Sequence, residues 1–240
     1  MSDGGKIGII TAMETEIWPL VRKWRPVVRE YVSLKYRFFE NGDAVVLAGG
    51  IGHAAGMRAA EAMIAAYSPD LLIAAGLAGG LRPEWAPPRQ MIAARVIDEE
   101  TGREFKTVEG QGTVVSSRTI AGAEKKRELA QRFPAEIVDM EGSAIGEVAA
   151  NHSLPFLAVK AVSDERDFDL PPLQNYVDPQ GQFQTARFTL AAAMRPHWWP
   201  MVVALRRKTG DAALHLAVTL RDLIREHGKQ GQRVSLTQRS

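Results

Sequence analysis

The chain reads as an α/β protein: a three-layer α/β/α sandwich built on a mainly parallel, mixed sheet. Three observations predict it. Short apolar runs alternate with amphipathic or Ala-rich stretches along the 240 residues, the pattern of strand–helix units in a sheet covered on both faces. Several of the apolar runs stop at glycines or acids, as strands do at a ligand-bearing sheet edge. With 45% hydrophobic and 24% charged residues, the chain can bury a sizeable core, and its length fits one large domain.

Each element follows in order. Lys6–Ala12, "KIGIITA", is a short buried strand, and Glu14–Trp24 a helix with Pro19 in its early turns. "YVSLKYRFFENGDAVVLAGG" is a hairpin turning at Asn41-Gly42-Asp43. Glycines at 49–52 lead into an Ala-rich helix from His53 to Tyr67, and "DLLIAAGLAGG" is another strand stopped by glycines. Ala121–Phe133 is helical, Ile137-Val138 a short strand, Glu141–Asn151 a helix of small residues and Pro155–Val162 a buried strand. A polar, proline-rich loop spans Asp164–Gly181. Two or three helices follow, the last from Asp211 to about Glu226, with Leu214, Ala217, Val218, Leu220 and Ile224 as its apolar face. Asp211 serves as its N-cap and Gly228 as its stop. The domain is expected over residues 1–228, with a frayed basic tail at 229–240.

Composition excludes several classes. A net charge of +2 gives no strong field for nucleic acid, and the absence of cysteine rules out disulfides, thiol nucleophiles and thiolate metal sites. The five histidines, at 53, 152, 197, 215 and 227, show no ligand spacing, so neither metal nor other cofactor is expected. No apolar run reaches the length of a membrane span, and the N-terminus lacks a secretory pattern, so the expected location is the cytoplasm. Gly50-x-Gly52 with Gly56 comes near a dinucleotide fingerprint, but the third glycine is one residue late and the acid, Asp70, falls before its strand. No G-x-S-x-G elbow or phosphate-binding P-loop occurs.

Four strand ends carry candidate chemistry: "TAMETE", "GGIG", "GLAGG" and "VSDERD". Glycine turns on successive strand ends can present N–H groups to an anion or a sugar, or simply let backbones pack closely. Glu14 and Glu16 suit a first helical turn, where carboxylates favour the positive helix end. Asp164 follows the apolar "FLAVKAVS". There it is either a partly desolvated general acid or a turn aspartate bonded to nearby backbone. Glu165, Asp167 and Asp169 read as solvated loop charges. Asp139 and Glu141, in "VDMEGSA", stand where a strand hands over to a helix.

Together these stretches resemble the nucleoside phosphorylase family, which includes 5′-methylthioadenosine/S-adenosylhomocysteine nucleosidases. "IGIITAMETEI" resembles the opening strand and Ala-Met-Glu-x-Glu turn, "GGIGHAAG" the Ser-Gly-Ile-Gly turn, and "AAGLAGGL" the Gly-Ser-Ala-Gly-Gly-Leu segment. "VDMEGSAIGEVA" resembles Val-Glu-Met-Glu-Ala-Thr-Ala, and "LPFLAVKAVSDERD" the strand ending in Ile-Ser-Asp; the order is kept over roughly residues 6–170. The resemblance implies a phosphorylase/hydrolase-like sandwich that cleaves the N-glycosidic bond of a purine, in particular adenine, nucleoside. It also implies roles. Asp164 protonates the base and Glu16 activates water; Glu141, with the backbone of Met140, holds the ribose. Ser163, Thr119 and Ile120 lie at the base, and Ile51, Gly76, Leu77, Ala78 and Gly79 lend backbone to the pocket.

Departures from the pattern bear on specificity. Leu77 replaces a serine or threonine, the stacking phenylalanine is absent at Thr119 or Ile120, Asp139 replaces a glutamate and Lys160 an arginine. Retention of Glu16 favours water as nucleophile; phosphorolysis, with phosphate as co-substrate, and a silent nucleoside-binding protein are the alternatives. The apolar residue in "GLAGGL" and the "VDME" form look more like the hopanoid-associated branch, linked to adenine removal from adenosylhopane. In that light Trp198 and Trp199, in "PHWWPMVVALRRK", suggest peripheral lipid contact, against the plainer reading of a buried helix or a subunit contact. The family usually forms homodimers or higher homo-oligomers, and the same is expected here.

Overall fold

Strand β1 (Ile7–Thr11) is buried along its whole length, so its alternating side chains must serve two cores. A computed structural model describes residues 6–168 and 173–237, with side chains to His227. Ile7 and Ile9 join Ile17, Leu20 and Val21 of helix α1 (Glu14–Val21) and Leu216 and Leu220 of helix α6 (Trp199–Thr237). Ile10 points the other way, into a core with Ala59, Ala60 and Met63 of α2 (His53–Tyr67) and Ile145 and Val148 of α4 (Gly142–Asn151). Gly8 shares that face because a Cβ there would lie 2.8 Å from Met63 Cγ. Helices on both faces of one sheet are the expected sandwich.

The remaining strands are β2 (Arg25–Tyr31), β3 (Leu34–Asn41), β4 (Ala44–Ala48), β5 (Leu71–Gly80), β6 (Gln90–Ile92), β7 (Arg95–Asp98), β8 (Glu104–Lys106), β9 (Thr113–Ser116), β10 (Ile137–Asp139) and β11 (Phe156–Asp164). Their order is β2-β3-β4-β1-β5-β10-β9-β7-β8, with β11 pairing β5 and β6. Strands β4, β1, β5 and β11 are mutually parallel where they pair. Strands β10, β9 and β7 are parallel among themselves, but β10 runs antiparallel to β5. The central strands of each half are parallel; antiparallel pairs lie where the halves meet, at β5–β10, and in the outer pairings β2–β3–β4, β7–β8 and β6–β11.

That meeting point creates the site. One edge of β5 pairs with β1 through Leu71–Ala74 and with β10 only at Gly79 and Gly80. Because β10 runs against β5, the carboxyl ends of β1 and β10 face each other across the intervening stretch, Ala75–Ala78. Helix α3 (Ala123–Arg132) packs Leu129 against Val115 and Val138 in a third core, just beyond this fork.

Several expectations are corrected. The first helix ends at Val21, and Arg25–Tyr31 pairs with β3 to widen the hairpin into three strands. The C-terminal helix neither starts at Asp211 nor stops at Gly228; α6 is continuous from Trp199 to Thr237. Its buried stripe is Ala212, Ala213, Leu216, Ala217 and Leu220, whereas Leu214 and Val218 are 57% and 51% exposed. Long-range packing on α1 chose the Ala-rich stripe over the larger residues. Asp169 and the last residues of the expected tail, 238–240, lie outside the described residues.

Leu216 is fully buried between α1 and the sheet. Leu216→Ala is expected to cost about 2–5 kcal/mol, read from urea unfolding.

Candidate active site

The centre of the fork is Lys160, on β11 in register with Gly76 and 1% exposed. Its Nζ lies 2.6 Å from Asp139 Oδ2. Asp139 also accepts from Ser116 Oγ at 2.5 Å and from the Gly142 N–H at 2.9 Å. Glycine is needed at 142, since a Cβ would stand 2.7 Å from that carboxylate. So fixed, Asp139 starts α4 and neutralises a lysine that burial would otherwise penalise.

Two glutamates flank this pair. Glu16, in the first turn of α1, is buried; it accepts from the Thr11 hydroxyl and, at 3.3 Å, from the Met13 N–H. Glu141 accepts from the Gly52 N–H at 2.6 Å. Gly76 packs against Glu16 and Lys160: a Cβ there would be 3.3 Å from Glu16 Oε2, 3.6 Å from Thr11 Oγ1 and 3.9 Å from Lys160 Nζ. Strand ends β1 and β10 thus bring together acids far apart in sequence.

The electrostatics follow from burial. Desolvation pushes Glu16 up, opposed by the Thr11 and Met13 hydrogen bonds and by Lys160. Glu141 is pushed up to about 8 by burial and by the neighbouring Asp139 charge, against the pull of Lys160 and Gly52. Burial alone would depress Lys160, but Asp139, Glu141 and Glu16 around it outweigh that and raise it. At neutral pH the cluster therefore holds a protonated Glu141 beside an ammonium paired with Asp139.

Asp164 lies further along β11, opposite Gly79, and is 5% exposed. Ser163 Oγ donates to Asp164 Oδ1 at 2.7 Å and approaches the Ala78 carbonyl at 3.3 Å. The other carboxylate oxygen, Oδ2, accepts from Lys126 of α3. Gly76 and Gly79 are three residues apart on β5, roughly 10 Å along a strand. Asp164 is thus carried on the opposite edge of β5 from β1 and β10, further along the strand than the Glu16–Glu141 cluster.

The other expected positions divide. Met140 lies by the glycine turn, its Cε 3.9 Å from where a Gly52 Cβ would be. The turn N–H groups are engaged by protein: Gly52 by Glu141, and Ile51 by the Gly181 carbonyl at 2.7 Å. Thr119 is exposed, and the Ile120 N–H donates to Gln174 Oε1 at 3.3 Å. Leu77 packs against the α1–α6 core, so it lends no side chain to the fork. Glu165 is no free loop charge: Lys208 Nζ is 2.7 Å from its Oε1. Sequence reasoning missed Thr11, Lys126 and Gln174. Lys126 had a signal, since it stands three residues from both Ala123 and Leu129 on the buried stripe of α3.

Fold and site together define an α/β protein that gathers buried carboxylates and lysines at converging strand ends, a setting for a small polar ligand. The chain belongs to the Phosphorylase superfamily, whose model matches residues 6–120 and 103–194. The 5′-methylthioadenosine/S-adenosylhomocysteine nucleosidase of Shewanella halifaxensis (strain HAW-EB4) is 25% identical over 205 residues, covering 69% of this chain and 89% of that one. Among solved structures, futalosine hydrolase of Helicobacter pylori shares 17% identity at a TM-score of 0.69, covering 92% of this chain and 98% of its own. The nucleosidase of the same organism, with butyl-thio-DADMe-Immucillin-A, shares 17% at 0.70, covering 93% and 99%. These two likenesses establish the shared fold.

Glu141 ionises near 4.5 when unfolded and near 8 when folded. Between those values the unfolded chain binds fewer protons, so the stability present in full below about pH 4.5 is lost as pH rises to about 8. Glu141→Gln keeps an acceptor for Gly52 but cannot ionise. Its urea-unfolding stability should therefore fall less steeply across that window, the gap from wild type growing with pH by an amount on the order of a few kcal/mol.

Proposed function

We propose that this chain cleaves the N-glycosidic bond of a purine nucleoside, with adenine the favoured base, by hydrolysis. What supports this reading is the set of buried acids: Glu16 and Glu141 flank the Lys160–Asp139 pair at the carboxyl ends of β1 and β10, and Asp164 stands at the end of β11 beside Gly79. Breaking C1′–N9 leaves positive charge on the sugar and sends the bonding pair to the purine. In this reading Asp164 gives a proton to N7 as the base leaves. Water forms the new bond to C1′ and loses its proton to Glu16, whose basicity burial raises. Glu141, with the Met140 backbone, holds the ribose hydroxyls. Ser163, Thr119 and Ile120 border the base, and Ile51 with Gly76–Gly79 lines the walls.

Water is favoured over phosphate by charge. An incoming phosphate dianion would meet Glu16 and Asp139, and the one lysine at the fork is already paired. The relatives' names, nucleosidase and hydrolase, agree with that choice. The protein requires no metal or redox cofactor in this scheme.

A second reading concerns the surface. No residue from Trp199 to Asp211 is buried. Leu190, Met194, Trp199 and Val203 are all more than half exposed, and Arg195 lies 4.8 Å from the Trp198 ring centre. Aromatic and apolar groups interleaved with bases favour peripheral lipid contact, and no described helix is long and apolar enough to cross a membrane. A cytoplasmic homo-oligomer is the assembly we infer from the family resemblance.

Three measurements test these readings. Incubation with methylthioadenosine, adenosylhomocysteine, adenosine and inosine should release free base at a rate indifferent to phosphate. Phosphate-dependent formation of ribose 1-phosphate would mean phosphorolysis instead, and binding without release a silent protein. Asp164→Asn should lower kcat by about 10²–10⁴-fold. Because it leaves Lys126 buried without its carboxylate, it should also lower the unfolding midpoint, so the rate is read well below that midpoint; near-normal turnover there would reject the assigned acid. For the surface, wild type should sediment with anionic phospholipid vesicles and a Trp198→Ser/Trp199→Ser variant should not; a variant that instead changes only its oligomer mass identifies a subunit contact.

A further inference from the structure

Lys126 is 1% exposed, within a helix that otherwise presents charge to solvent. Its Nζ touches Asp164 Oδ2 and donates to the Glu165 carbonyl at 2.7 Å. The neighbouring backbone is shaped to admit it: a Cβ on Gly79 would stand 2.7 Å from Lys126 Cε and 3.2 Å from Nζ. A buried ion pair of this kind is weak ground for stability, since apolar replacements of similar volume often do as well or better. Ser163 alone could hold a merely structural turn aspartate.

We propose that Lys126 is a positioning residue for the departing base: it fixes the Asp164 carboxyl group and stabilises the carboxylate that proton donation leaves behind. The inference rests on the nucleoside-cleaving reading above. Ser163 and Lys126 grip one carboxyl oxygen each, so rotation about the Asp164 side chain is stopped from both sides. Asp164 first takes up a proton from solvent while Ser163 and Lys126 hold it in place. When that proton passes to N7 and the C1′–N9 pair moves to N9, the carboxylate–ammonium pair of the free protein is restored. No reorganisation is needed at that moment. Lys126 acts only through Asp164 and on leaving-group departure, not on sugar binding or water activation.

The test pairs two substrates. Methylthioadenosine or adenosine needs its base protonated; p-nitrophenyl β-D-riboside releases a stable anion without a proton. Lys126→Met should lower kcat on the purine nucleoside by about 10²-fold, with KM changed little, while the nitrophenyl rate falls by about threefold or less. Lys126→Arg should recover part of the purine rate. The ratio of the two rates is independent of how much of a preparation folds. On the purine nucleoside alone, Lys126→Met/Asp164→Asn should be no slower than Asp164→Asn, because residues acting as one unit do not add. Equal losses on both substrates, or losses that multiply in the double variant, would overturn the proposal while wild-type base release upheld the reading beneath it. A wild type that releases no base from any nucleoside would overturn both.

Discussion

The buried pair Lys160–Asp139 is the constraint on which the site depends. An ammonium with 1% exposure in the middle of a sheet can persist only if a carboxylate reaches it with good geometry and spare hydrogen bonds. Asp139 does so from the end of β10, held by Ser116 and the Gly142 N–H. That reach dictates the direction of β10, which must arrive from the side opposite β1. The resulting head-on approach of two carboxyl ends leaves Ala75–Ala78 of β5 unpaired on that edge and sets Glu16 and Glu141 in the opening. Removing the charge from the centre would leave three acids crowded together with nothing to neutralise them.

The two groups of buried charge around β5 differ in balance. At the Gly76 end, Glu16, Glu141 and Asp139 surround the single Lys160, and the Asp139 and Glu16 charges raise Glu141 beyond the effect of burial. At the Gly79 end, Asp164 is matched by Lys126 and by Ser163. The protein thus holds two fixed groups of charges of different balance on the two sides of β5. Such preorganised dipoles and charges act without moving, and so lower a barrier more than a flexible solvent can.

Much of this was legible in the sequence, for identifiable reasons. Long, fully apolar runs such as "DLLIAAGLAGG" and "FLAVKAVSD" announce central strands, and His53–Tyr67 is bounded by Gly52 and a left-handed Ser68 as its composition suggests. Strand ends made Glu16, Glu141 and Asp164 candidates, but their assignment to roles rested on the family resemblance, since each also fits a helix start or a turn. Strands β6 to β9 were not, because runs of three or four residues such as "QMI" and "EFK" carry no periodicity. They form only where a neighbouring strand supplies hydrogen bonds. The continuous α6 escaped for the opposite reason: Gly210 and Gly228 lower helix propensity locally, yet nearest-neighbour preference does not decide a helix anchored on α1 through Leu216 and Leu220. Lys126 was hidden by its own residue type, one basic side chain in "AEKKREL" that happens to fall on the inward stripe.

The glycine-rich strand end shows how a correct signal can carry the wrong cause. "GLAGG" suggests backbone N–H groups left bare for an anion or a sugar. In the folded chain the glycines provide room for charged side chains: Gly76 for Glu16 and Lys160, Gly79 for Lys126 and Asp164. At the companion turn the N–H groups of Ile51 and Gly52 are taken by Gly181 and Glu141. A Cβ at 79 would displace the lysine before it touched any ligand, so that position constrains the chemistry through Lys126. Missing side chains at a strand end therefore mark where other side chains must pass. The identity of those passing groups, carboxylates and ammoniums here, decides what kind of ligand the opening can accept.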